Sequence, residues 1–95
     1  MSETQIPVAR FRIGRICATP NALKTLSHDD ILNGIQRHQA GDWGDVDADD
    51  RHANDQALKN GSRLFSVYHS ANRVTFWIIT EASRQLTTVL LPDDY

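Results

Sequence analysis

One cysteine in 95 residues excludes an internal disulfide, so nothing in this chain is stapled covalently. Cys17 falls in an apolar strand pattern, which predicts a buried thiol in a reducing compartment. No run approaches the ~18 apolar residues that span a bilayer, which speaks against a membrane role. The start, Met1 to Pro7, is polar and lacks the apolar core of a signal peptide, so the expected location is cytoplasmic. A strong excess of one charge is missing too, the net charge being −2. A duplex or RNA binder is normally basic, so direct nucleic-acid contact is not favoured. Low complexity and internal repeats are absent as well. With 40% hydrophobic and 23% charged residues, the composition is that of one ordinary globular domain.

The charge that is present is unevenly placed. Residues 1–26 carry Arg10, Arg12, Arg15 and Lys24 against Glu3, a net +3. Residues 41–60 carry six aspartates against Arg51 and Lys59, a net −4. The acidic segment begins with Gly41-Asp42-Trp43-Gly44-Asp45 and continues to Asp50. Such a centre suits a basic protein surface as its partner.

Hydrophobic periodicity divides residues 9–95, behind a flexible leader at 1–8, into one α+β domain. Ala9 to Ala18 reads as a strand with Phe11, Ile13 and Cys17 on one face. Thr19-Pro20 starts a short helix with Leu23 and Leu26 on one side. Ser27 caps a second helix, with Asp29 and Asp30 favoured by the dipole of its first turn. Ile31, Leu32 and Ile35 form its apolar stripe, and Gly41 follows its end. Gly34 inside this helix costs roughly 1 kcal/mol relative to alanine, which points to close packing on a sheet. Asp47 caps a third helix ending at Gly61, with Ala53, Ala57 and Leu58 inward.

Arg63–His69, Arg73–Glu81 and Leu86–Leu91 read as three strands joined by turns short enough to force antiparallel pairing. Trp77-Ile78-Ile79 is apolar on both faces, the mark of a central strand. The expected fold is a four-stranded antiparallel or mixed sheet with two to three helices on one face, in the order β-α-α-(α)-β-β-β.

Several chemistries can be weighed on these residues. Asp45-x-Asp47-x-Asp49 matches the first ligands of a calcium loop, but Asp50 stands where glycine is needed and Gln56 where glutamate is needed. His28, His38, His52 and His69 fall on separate elements without ligand spacing. No metal, cofactor or catalytic residue is therefore assigned. Ser66, His69 and Glu81 lack a nucleophile motif. Arg63, His69, Arg73, Glu81 and Arg84 could share a polar sheet face suited to RNA cleavage. The partner-binding assignment is Asp42, Trp43, Asp45, Asp47, Asp49 and Asp50: an exposed Trp43 is an aromatic anchor ringed by carboxylates, while a Trp43 folded back on the core leaves the carboxylates alone.

Two resemblances follow. The order of elements over residues 9–91 resembles the RelE/ParE toxin fold, which implies a ribonuclease or an inactive relative using that Arg/His/Glu face. The segments Gly41–Asp45, Asn54-Asp55-Gln56-Ala57-Leu58, Trp77-Ile78-Ile79-Thr80-Glu81 and Thr87-Thr88-Val89-Leu90-Leu91-Pro92 resemble small proteins of plasmids and other mobile elements. That company includes anti-CRISPR and anti-restriction proteins. It implies a non-enzymatic inhibitor of a bacterial defence complex, a CRISPR effector being favoured, acting as a monomer or small homo-oligomer.

Overall fold

The computed structural model describes residues 8–95; the expected leader at 1–8 lies outside the described residues except for Val8. The elements run β1 (Arg15–Ala18), α1 (Pro20–Thr25), α2 (His28–Gln39), α3 (Ala48–Asn60), β2 (Leu64–His69), β3 (Thr75–Thr80), β4 (Leu86–Leu90) and a closing 3-10 turn, Pro92–Asp94. The sheet order is β1-β4-β3-β2. The β1–β4 pair is parallel and the other two are antiparallel. This is a mixed-sheet α+β fold.

Alternation along the strands sets the two faces of the sheet. Leu64, Ser66 and Tyr68, then Phe76, Ile78 and Thr80, then Thr87 and Val89 are buried beneath the helices. The main core joins Ala22, Leu26, Ile35, Tyr68, Phe76, Ile78 and Val89. A second cluster joins Trp43, Ala57 and Leu64, with Phe11, Val46 and Leu58 against it. As its double-faced apolarity implies, β3 is central. Its outer face is partly covered by Tyr95, whose ring meets Trp77 edge-on at 5.7 Å.

The helix starts follow their caps. Thr19, Ser27 and Asp47 each accept a hydrogen bond from the backbone three residues on. Gly34 does sit where the helix touches the sheet: a Cβ there would lie 2.9 Å from Phe76 Cε2 and 3.1 Å from Ile78 Cδ1.

Five expectations are corrected. The first strand is only four residues long, because the chain turns at Gly14. Its φ is +61°, and a Cβ there would lie 2.4 Å from the Gln85 backbone. The turn breaks the alternation from Phe11 and Ile13 to Cys17. Cys17 is therefore exposed, aligned with Thr88 on the face away from the helices. In α1, Ala22 rather than Leu23 faces the core, and Leu23 is 58% exposed. In α2, Leu32 is exposed and His38 completes the inward stripe instead. In α3, Asn54 rather than Ala53 is buried.

Candidate functional site

The acidic segment is a tight loop between α2 and α3, anchored at almost every residue. Gly41 adopts φ +83°, which lets Asp42 N–H return to Arg37 C=O at 2.9 Å. Arg37 Nε donates to Asp42 Oδ2 at 2.7 Å, and its guanidinium lies 4.6 Å from the Tyr68 ring centre. Tyr68 O–H donates to the Asp42 carbonyl at 2.6 Å. The Arg37 hydrogen bond holds the Asp42 carboxyl below the usual carboxylate range, and the same bond raises Arg37. Burial pushes the Tyr68 phenol up, so it remains a donor.

Trp43 is 2% exposed, which corrects its expected role as a surface anchor. Its ring stacks near Phe11 at 6.1 Å, meets His38 edge-on at 5.7 Å, and donates Nε1–H to Asp55 Oδ1 at 3.3 Å. The indole is thus core material, and a partner on the surface cannot reach it.

Gly44 then lies directly on the outer edge of β2. Val67 N–H donates to Trp43 C=O at 3.0 Å, and Asp45 N–H donates to Val67 C=O at 2.8 Å. A Cβ on Gly44 would sit 2.0 Å from the Val67 oxygen, so only glycine fits this contact. Two residues back along β2, Asn54 closes the same edge from α3. Its Nδ2 donates to Phe65 C=O at 2.7 Å, and Phe65 N–H donates to Asn54 Oδ1 at 3.0 Å. The side-chain amide replaces the missing neighbouring strand.

This frame presents a row of exposed carboxylates. Asp45 meets His69 Nε2 at 2.9 Å, with side chains 75% and 50% exposed, a pairing weak in solvent. Asp47 accepts from Asp50 N–H at 2.8 Å as the cap of α3. Asp49 and Asp50 project from its first turn. Asp50 is raised first by desolvation, then by the negative charges of Asp47 and Asp49. Between positions 42 and 50 there are five aspartates and no basic residue. Arg37 answers Asp42, so Asp45, Asp47, Asp49 and Asp50 carry the outward negative charge.

Asp47 and Asp45 are each occupied otherwise than a calcium loop would need. Among the described residues, no group of three or more His, Cys, Asp or Glu is placed to hold a metal ion.

The five residues considered for RNA cleavage are not brought together. Antiparallel register puts Leu64 opposite Thr80 and His69 opposite Thr75. Arg63, Glu81 and Arg84 therefore lie at one end of the sheet, and His69 and Arg73 at the other, ~17 Å away at ~3.4 Å per residue. Arg84 is also engaged, donating to the carbonyls of Ala57 at 3.0 Å and Ser62 at 2.7 Å to close the end of α3. Arg63 donates to Tyr95 Oη at 2.6 Å. The face on which the ribonuclease alternative rested is dispersed.

Sequence reasoning did not anticipate Asn54, which shapes the site's support, or the buried His38. Both had a signal: Ile31, Ile35 and His38 share one helical stripe, as do Asn54, Ala57 and Leu58. A polar residue on such a stripe needs a built partner.

No family model, no curated protein and no solved structure matches the chain.

Proposed function

We propose that this chain is a non-enzymatic binding protein that inhibits a nucleic-acid-handling bacterial defence complex, in the manner of anti-CRISPR proteins. The observation that carries the reading is the row Asp45, Asp47, Asp49 and Asp50, all exposed, held on a loop pinned to β2 and a capped helix. Clustered carboxylates on a stiff support compete for lysines and arginines that otherwise hold phosphate. Little ordering entropy is lost on binding, because the loop is already fixed by Arg37, Tyr68 and Val67. Defence complexes as the target class come from the mobile-element resemblance, and the charge supplies the mode of contact. Trp43 supports the loop from beneath; Asp42 is the loop's anchor through Arg37.

The test is transformation interference against a panel of CRISPR and restriction systems. The wild-type chain is compared with a variant carrying Asp45→Asn, Asp49→Asn and Asp50→Asn. Asp47 is kept because it caps α3. At least one system is expected to be blocked by the wild type and released by the variant. Blockade that is equal for both would remove the acidic row from the interface, and blockade of no system would remove the class of target.

A further inference from the structure

The two edges of the sheet are treated in opposite ways. The β2 edge is closed at Phe65 by the Asn54 amide and at Val67 by the loop 43–45. At the other edge, Arg15 and Thr19 donate their N–H groups to the Gln85 and Val89 carbonyls of the neighbouring chain segment. A parallel ladder uses alternate residues in this way, so the backbone groups of Ile16 and Ala18 point outward. Among the described residues, no hydrogen bond reaches Ile16 or Ala18 from that side. Ile16 is 46% exposed, and Leu23, on the helix that leads out of β1, is more so. Two of the few exposed large hydrophobics thus lie on β1 and its continuation.

Charge along this edge is polar from end to end. It begins with Arg15, exposed on the face away from the helices. It ends at Thr19, whose Oγ1 donates to Asp94 Oδ2 at 2.6 Å, with Asp93 exposed beside it. An antiparallel copy of the same edge would bring each basic end against an acidic end.

We propose that β1 is a two-fold interface with a second copy of this chain, joining two sheets into one of eight strands. With the axis at Cys17, Ile16 pairs with Ala18 of the other copy in both directions, giving four backbone hydrogen bonds. Arg15 then faces Thr19 and the neighbouring Asp93 and Asp94 of the other copy. Such a pairing is isologous and closes on itself, so it yields a dimer rather than a filament. Two four-residue strands form a small interface, so the association is weak and concentration-dependent. The acidic row lies at the far edge of each sheet and stays free, which makes the dimer bivalent.

The geometry provides its own reporter. Cys17 is the chain's single cysteine, and the axis places the two copies in a non-hydrogen-bonded pair with Cα atoms ~4.5 Å apart, within disulfide reach. Copper-phenanthroline is the oxidant, taking two electrons as two thiols lose two protons and form one S–S bond. The experiment combines light scattering of the full chain under reducing conditions with this cross-linking. The wild type is expected to shift from one to two chains as its concentration rises and to cross-link rapidly. Ala18→Pro removes an outward N–H without touching the internal ladder, and Ile16→Lys charges the edge. Both should give single chains, slow cross-linking and unchanged far-UV circular dichroism. Arg15→Glu, an exposed site that leaves the backbone alone, should weaken dimerisation several-fold if either of those variants fails to fold. A single-chain mass at every concentration, or a dimer indifferent to the folded variants, would overturn the proposal.

Discussion

Acidification should destabilise this fold through one buried imidazole. His38 is fully buried, and its neighbours dictate its proton. Thr87 O–H donates to the Ile13 carbonyl at 2.7 Å, and Thr87 Oγ1 meets Thr80 Oγ1 at 2.7 Å. Since Thr87 has spent its proton, Thr80 donates to Thr87 and must accept from His38 Nε2–H at 2.9 Å. His38 Nδ1 is then the acceptor of the Ser66 hydroxyl proton. A second proton on the ring would reverse that bond and leave a charge without a carboxylate. Burial, with a smaller contribution from the Arg84 charge, lowers His38 to about 3.

The sign follows from linkage. The folded-state value lies below the unfolded ~6.5, so the contribution is fully present above 6.5 and is lost as pH falls toward 3. At about pH 5 the folded form still holds His38 neutral while the unfolded chain is mostly protonated, a loss of about 2 kcal/mol at 1.36 kcal/mol per unit. Against a total stability of ~5–15 kcal/mol this is readily measured. Urea denaturation at about pH 7.5 and about pH 5 reads it, with His38→Gln as the reference that cannot take the proton. The variant starts less stable, but its loss between the two pH values should be smaller by about 2 kcal/mol. The other three histidines and all carboxylates cancel in the difference. Equal losses in both proteins would refute the neutral, buried His38 and the proton order derived from it.

Three other changes report on the loop and its supports. Trp43→Ala should cost about 3–5 kcal/mol in urea denaturation, the range for a buried aromatic, whereas a surface anchor would cost almost nothing. Asn54→Ala should cost about 2–3 kcal/mol, because it strips partners from both Phe65 N–H and C=O, and amide exchange at Phe65 should accelerate. Gly44→Ala should separate the loop from β2, seen as faster amide exchange at Asp45 and Val67, since its Cβ has no room and its φ is +74°.

The fold was largely legible because its signals are local. Thr19-Pro20, Ser27 and Asp47 declare helix starts, Gly61 declares an end, and the short turns of the last third force a meander. What could not be seen locally was longer in range. The turn at Gly14 depends on the backbone of Gln85, 71 positions away, so local alternation alone overruns the first strand and turns Cys17 inward. Trp43 illustrates the same limit at the site. Between two glycines and beside two aspartates its surroundings fit an exposed anchor as well as a side chain folded back on the core, and the pairing of residues 43–45 with β2 turns it inward. The carboxylates were legible as a cluster; which of them is neutralised was not, because the turn at Gly41 is what brings Asp42 back to Arg37 on α2. His38 and Asn54 had the right helical phase, but their partners Thr80 and Phe65 come from β3 and β2.

The acidic row as a partner-binding surface is tested most directly by affinity capture from bacterial lysates, comparing the wild type with the Asp45→Asn, Asp49→Asn, Asp50→Asn variant. The expected result is capture of a basic, nucleic-acid-handling protein that is displaced by salt or by added DNA and is absent with the variant. Capture of the same proteins by both forms, unaffected by salt or DNA, would contradict the account.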